Sequence, residues 1–441
     1  MKRCDMGLKP RDRVISALRH EEPDRIPIDL GATPCTSVHA KTYYDLRKYL
    51  GLPLKPIRVM DIGQQLAEVD KDVLDLLHVD VVNVNRVLEP MAPHPYIYRF
   101  ASVVDRSLKE VSDREFYIWR APYGVDVEIP KYIEIVEVGE GFAGYSAGNI
   151  FGIIPRGGYY FWGLDRWRKS KPPLADVKSV DDVKKFDWDS YKVADDVVEI
   201  LRKRAEYLYR NTDYALINNF IGGPGGYHDA GGQNLRGWDK WLSDLRVRKP
   251  LAEAILDHIH EVMMYNIKKI VNAVGEYVQV TAIAYDDLGT EEGPQISVQT
   301  FKEFYKHRYE ELIGYVKKHS RMFIWLHSCG SVYPFIKEFI DIGLDIINPV
   351  QISARGMDPE KLKKEFGEQI TFWGGGVDTQ HVLPLAKPEE VVDHVKKLIK
   401  IFAPGGGYVY ASVHNIQPGA PPQNIVAMFK TAYEYGKYPI K

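Results

Sequence analysis

A chain of 441 residues can hold one large domain or two to three ordinary ones, and 45% hydrophobic with 27% charged residues is the balance of a globular protein with an ample core. A net charge of -2 gives no reason to expect nucleic acid or an anionic membrane as partner. Three cysteines, Cys4, Cys35 and Cys329, are too few and too scattered for a disulfide framework. A reducing, cytoplasmic setting is therefore expected, and no stretch reads as a signal peptide or a membrane span.

In chain order, Arg11–His20 has apolar residues at helical spacing and Pro23 stops it. Arg25–Gly31 reads as a first short strand, followed by helices over Ala40–Leu50 and Gln64–Leu77. The β-branched run Val79–Asn85 is the second strand. Residues from about 88 to 185 break the alternation. Phe116–Gly124 and Tyr132–Val138 alternate like hairpin strands, Gly139–Gly148 reads as loop, and a glycine–aromatic cluster follows from Ile154. This stretch is expected to be an insertion into one domain spanning 1–441, serving as a lid or small subdomain.

After a helix over Asp195–Arg210 the alternation resumes. Strands are expected at Tyr214–Phe220, Tyr277–Tyr285, Arg321–Leu326, Leu344–Val350, Ile370–Gly376 and Gly407–Val413. Helices are expected through Trp241, then at Pro250–Val274, Val298–Lys318, Tyr333–Ile342, Pro359–Phe366, Pro388–Phe402 and Pro422–Tyr435. Eight strands, each followed by helix, predict an α/β fold: a (β/α)8 TIM barrel with an N-terminal helical extension and a long insertion after the second strand. A doubly wound sheet is the alternative, but Gly31-Ala-Thr-Pro is no glycine-rich phosphate turn.

Residues just past the strands of a barrel line its active face. Here they are Asp29, Asn85, Asn219, Asp286, Asp287, His327, Cys329, Asn348, Asp378 and His414. His327 and Cys329, two apart, lie on the same side of an extended backbone, and His414 projects into the same mouth. Two imidazoles and a thiolate make three protein ligands with one position open, as in a catalytic zinc site. A helix N-terminus just beyond Cys329 is expected to lower its thiol pKa. Asp286 and Asp287 are the candidate catalytic residues and could serve as substrate clamp, fourth ligand or general acid/base; either could instead cap a helix. Asn219, Asn348 and Asp378 are candidate substrate contacts. The amides of Gly374–Gly376 could hold a carboxylate or phosphate, or Asp378 could cap that turn.

The motifs Arg11-Asp-Arg-Val-Ile-Ser-Ala-Leu-Arg-His-Glu-Glu-Pro-Asp-Arg-Ile-Pro27, Asp286-Asp-Leu-Gly, His327-Ser-Cys-Gly, Gly374-Gly-Gly-Val-Asp378 and Val413-His-Asn-Ile-Gln-Pro with Pro421-Pro-Gln-Asn carry a resemblance over nearly the whole chain outside the insertion. The chain resembles the uroporphyrinogen decarboxylase superfamily, and within it the corrinoid-dependent methyltransferase branch. Decarboxylases open with an arginine-rich segment that binds the porphyrinogen carboxylates, and Ile26-Pro-Ile-Asp-Leu-Gly-Ala-Thr stands there instead. Asp61-Ile62 is a faint echo of their catalytic aspartate stretch. The methyltransferase branch binds zinc through H-x-C and a distant cysteine, and His414 stands at that third position.

The resemblance implies a zinc-dependent methyltransferase or demethylase, with zinc as cofactor. It would move a methyl group between a small O-, N- or S-methylated substrate and a corrinoid (cobalamin) carried on a separate protein. The D-x-H-x-x-G signature of a cobalamin domain is absent, so the corrinoid is expected on that partner. A homodimer is the other association left open. The rival readings are a uroporphyrinogen decarboxylase and a non-catalytic ligand-binding barrel.

Overall fold

Strands covered on both faces need apolar side chains on both, and the β-branched and aromatic runs above meet that need. The computed structural model describes residues 7–84, 116–131, 133–146, 149–163, 172–219 and 223–440. Seven strands lie side by side in the order Tyr408–Val409, Thr371–Trp373, Ile346–Asn348, Phe323–His327, Val280–Tyr285, Ala215–Asn218, Val81–Asn83. Every neighbouring pair is parallel, and the register sets Tyr285 beside His327 and His327 beside Asn348.

The first stave joins the two outer strands of this sheet. Asp29 N–H donates to Tyr410 O and Tyr410 N–H to Pro27 O, both at 2.9 Å, while Asp80 N–H donates to Ile28 O at 2.8 Å. Arg25–Gly31 thus closes the sheet into an eight-stave barrel. Its pairing with the last strand is reduced to an isolated bridge at Ile28, next to Pro27, which has no N–H to give. At the opposite end from the predicted mouth, Asp80 accepts from Arg13 and Arg25 at 2.7 Å, and Arg13 also bonds Asp24.

Helices Pro359–Phe366, Pro388–Phe402 and Pro422–Tyr435 keep their expected bounds. In Pro388–Phe402 the buried Val391, Val395, Leu398, Ile399 and Phe402 form one stripe against the barrel. The N-terminal helix runs over Pro10–Leu18. The helix expected at Val298–Lys318 runs to His319 with a wider turn over Lys302–Lys306. No helix among the described residues is long and apolar enough to cross a membrane.

Two expectations for the added region need correction. Gln64–Leu77 is a helix only over Lys71–Leu76. Gln65 has φ +53°, which ends any helix through it, and Leu66–Ala67 pairs back on Ile57–Asp61 as a strand. Ile57–Asp61 then joins the hairpin of Phe116–Arg120 and Asp126–Pro130, so the added layer draws on chain before as well as after the second strand. Gly141–Ser146, expected as loop, is the second strand of an antiparallel sheet with Ile133–Val138, Asn149–Pro155 and Trp162–Gly163. Its Gly144 is there for space: a Cβ would strike the rings of Phe151 and Phe161. Asn85 and the remainder of 85–115 lie outside the described residues.

Candidate metal centre

The strand Phe323–His327 delivers His327 to the barrel mouth, and the chain then turns sharply before the helix Tyr333–Asp341. Gly330, at φ +83°, makes that turn with its backbone against Gly289, where a Cβ would meet the carbonyl of that residue. Neighbouring strand ends hold the turn on both sides. Ser328 N–H donates to Asn348 O at 2.8 Å, and Ser328 Oγ accepts from Leu288 N–H at 2.9 Å.

His327, Cys329 and His414 meet at this mouth, each offering a ligand atom, and these atoms all lie within 4.8 Å of one another. His327 Nε2 is 3.2 Å from Cys329 Sγ. On its far side, His327 Nδ1 is 2.6 Å from Asn348 Oδ1. The amide orientation is fixed because Asn348 Nδ2 donates to Trp373 O at 2.8 Å. Nδ1 must then carry the proton, which leaves the Nε2 lone pair toward the cluster. His414 repeats the arrangement. Its Nδ1 is 3.0 Å from Asn415 Oδ1, and Asn415 Nδ2 donates to Gln64 Oε1 at 2.9 Å and to Pro34 O at 3.2 Å.

The electrostatics suit a cation. Burial lowers the His414 ring to about 4, helped by His327 and opposed by Asp287 and Asn415, so it is neutral at physiological pH. The Cys329 thiol is pushed well up, first by burial and then by the Asp287 carboxylate, with Cys35 adding to it. The expected lowering by a helix N-terminus is thus overturned: the helix begins only at Tyr333, and the nearest charge is negative. A divalent ion would reverse this balance by giving the thiolate a positive partner. The donor set of two imidazoles and a thiol is one that zinc takes.

The two adjacent acids have different surroundings. Asp286 is buried, and its carboxylate accepts from the N–H groups of Tyr227 (2.9 Å), His228 (2.9 Å) and Asp229 (2.7 Å) and from Tyr309 Oη (2.6 Å). It caps the turn His228–Gln233 and is spent there. Asp287 faces the cluster: Oδ1 accepts from Cys329 N–H at 2.7 Å and lies 3.6 Å from His327 Nε2, with the side chain 36% exposed.

Of the expected substrate contacts, Asn348 is fully buried behind His327, and Asp378 sits in a turn of its own. Asp378 accepts from the N–H groups of Gln380 (2.7 Å) and His381 (2.9 Å). Burial would raise its carboxyl, but these bonds and the His381 ring outweigh that and hold it low. The amides of Gly374, Gly375 and Gly376 donate to Val409 O, Pro349 O and Ala411 O, so the expected anion cradle is already filled by the barrel itself. Asn219 lies at the mouth and donates from Nδ2 to Ala32 O at 3.2 Å.

The structure also brings in Cys35, not singled out as a site residue from sequence, and Asp61, noted there only as a faint echo of the decarboxylase aspartate. Cys35 Sγ is 3.6 Å from His327 Nε2. Asp61 is buried beneath Gln64, which donates to it from N (2.9 Å) and Nε2 (3.2 Å). Burial raises Asp61 to about 6 against those bonds. Asp61, Gln64, Asn415 and His414 therefore form one hydrogen-bonded chain. Cys35 follows the first stave by four residues, so carrying the strand-end inspection into that loop would have found it.

Fold and site together define an α/β-barrel protein with a soft, metal-competent donor cluster where such barrels place their chemistry. Residues 168–435 match the uroporphyrinogen decarboxylase (URO-D) family, and the chain belongs to that family. Among solved structures, a methyltransferase from Methanosarcina mazei superposes with a TM-score of 0.56 at 14% identity, covering 97% of this chain and 99% of that one. A GH113 β-1,4-mannanase (TM-score 0.29, 14% identity, 53% of this chain and 79% of that one) and a GH113 β-mannanase from Alicyclobacillus acidocaldarius (0.27, 13%, 54% and 79%) share much less. No curated protein matches the chain in sequence.

Proposed function

We propose that this chain is a zinc-dependent methyltransferase that moves a methyl group between a small O-, N- or S-methylated substrate and a corrinoid on a separate protein. The observation that carries this reading is the convergence of His327, Cys329 and His414 within 4.8 Å at the barrel mouth. Fold-level likeness to a methyltransferase over the full length agrees with it.

His327 Nε2, Cys329 Sγ and His414 would hold the ion, with Asn348 and Asn415 fixing the tautomers behind them. Bound zinc supplies Lewis acidity to the substrate heteroatom, favouring thiolate or departing alkoxide. Asp287 is the acid placed to handle a proton: its carboxylate borders both His327 Nε2 and Cys329, and about a third of its side chain is open to solvent. It would take a proton from a thiol or return one to an alkoxide. Asp286 holds the His228–Gln233 turn that borders it. The layer containing Tyr123 and Tyr159, packed on His39 at the mouth, would exclude water or receive the corrinoid partner.

Decarboxylation fits less well. A substrate bearing many carboxylates needs several arginines at the mouth. Arg13 and Arg25 of the opening motif are instead consumed by Asp24 and Asp80 at the other end of the barrel.

The test has three parts. Purified protein should carry about one zinc per chain, lost in the His327→Ala, Cys329→Ala double variant. Methylated donors incubated with the protein and cob(I)alamin should yield methylcobalamin. Uroporphyrinogen III should release no carbon dioxide, and its release would restore the decarboxylase reading.

A further inference from the structure

Cys35 sits at the edge of the cluster: it is not one of the three residues whose ligand atoms lie within 4.8 Å of one another, but its sulfur reaches one of them at the spacing of a metal ligand. Zn–S of about 2.3 Å and Zn–N of about 2.0–2.1 Å at a tetrahedral angle set the S···N edge between two ligands at about 3.6 Å. Cys35 Sγ stands 3.6 Å from His327 Nε2, the nitrogen whose lone pair is left free by Asn348. Cys329 Sγ stands 3.2 Å from the same nitrogen. A cysteine buried only for its bulk would turn its sulfur to hydrocarbon. This one, 7% exposed, turns it to the nitrogen shared by the cluster.

The backbone around Cys35 is built to hold that position. Cys35 lies in the short turn Pro34–Thr36, closed by Thr33 N–H donating to Thr36 Oγ1 at 3.1 Å. Gly31 N–H donates to Thr36 O at 3.0 Å, and Ala32 N–H to Asp29 Oδ1 at 3.0 Å. Asn415, which orients His414, also donates to Pro34 O. One amide therefore ties the Cys35 turn to the His414 loop.

We infer that Cys35 is a fourth protein ligand of the metal, closing a two-nitrogen, two-sulfur site in the resting protein until substrate replaces it. The inference rests on the zinc reading above. Two thiolates neutralise the charge of the ion, so the resting site carries no net charge of its own. For a thiol substrate the exchange is proton-neutral: the substrate S–H proton moves to the Cys35 sulfur as the substrate thiolate takes its place. For an ether or amine substrate the Cys35 sulfur takes its proton from solvent.

X-ray absorption at the zinc edge of the wild-type holoprotein, without substrate, should count two sulfurs at about 2.3 Å. One sulfur overturns the inference while leaving the zinc site intact, and absence of zinc overturns both readings. In the cobalt(II)-substituted protein, Cys35→Ser should lose about half of the thiolate-to-metal charge-transfer absorption and bind zinc at least about tenfold more weakly. An unchanged spectrum and affinity in Cys35→Ser would sink the assignment. If that variant does not fold, the wild-type sulfur count decides alone.

Discussion

His327 Nδ1 and Asn348 Oδ1 are 2.6 Å apart, and this bond decides which imidazole nitrogen meets the cluster. Asn348 cannot rotate, because its Nδ2 is committed to Trp373 O. Replacing it with alanine removes the acceptor and orphans both the His327 N–H and a buried carbonyl, each worth about 1–3 kcal/mol. Asn348→Ala should weaken zinc binding by about 10–100-fold, measured by competition with a chromophoric chelator. Unaltered affinity would show that the tautomer is set some other way.

Asp286 and Asp287 are adjacent in sequence but should separate cleanly in experiment. Asp286→Asn removes the charged acceptor of the Tyr227, His228, Asp229 and Ala230 N–H groups and of Tyr309 Oη, and should cost about 3 kcal/mol or more of stability in denaturant unfolding. Asp287→Asn keeps an oxygen for Cys329 N–H and should change stability by less than about 1 kcal/mol. It should nonetheless lower methyl transfer by about 10²-fold or more, because an amide cannot shuttle the proton. The reverse pattern would move the proton-handling role to Asp286.

Much of this arrangement was legible in the sequence, for a physical reason. His327, Cys329 and His414 come directly after apolar runs, and a barrel turns the end of every such run toward one mouth. The unread parts depend on contacts that no local pattern encodes. Cys35 follows a stave that pairs largely through isolated bonds, so nothing in the periodicity marked its loop as part of the mouth. The left-handed Gln65 is held by Tyr123, whose Oη donates to Gln65 Oε1 at 2.7 Å across a distant hairpin. Gly144 looked like a loop residue, because the rings that require a glycine there arrive from other strands. Asp286 and Asp287 are indistinguishable as letters, and only the placement of the Tyr227–Asp229 amides separates them.

Zinc removal tests whether the metal supports the fold or only the site. The barrel core is continuous without it, so chelation should leave the far-ultraviolet circular dichroism unchanged. The melting temperature should fall by an amount set by zinc affinity, equivalent to about 2.7 kcal/mol at a free zinc concentration one hundred times Kd. Collapse of the helical signal on chelation would mean that the site is structural.

His39 gives a pH prediction separate from the metal. It is fully buried; Nδ1 accepts from Lys41 N–H at 3.0 Å as the cap of the helix Ala40–Tyr49, and Nε2 faces Tyr159 O at 2.9 Å. Nε2 therefore carries the proton and Nδ1 is the acceptor. Burial lowers the ring to about 4, with the Tyr159 carbonyl opposing and Lys41 assisting. Because the folded value lies below the unfolded one, the unfolded chain binds the extra proton first. The His39 contribution is complete above about pH 6.5 and is lost as pH falls toward about 4, a total on the order of 3 kcal/mol. Asp29 and Asp61, both raised to about 6, act in the opposite sense over much of this range, so the wild-type profile alone hides the effect. Subtracting the profile of His39→Asn, which retains a capping oxygen, should expose it. The stability difference between wild type and variant should shrink steadily from pH 6.5 to pH 4; a constant difference would mean that His39 titrates at its ordinary value in the folded protein.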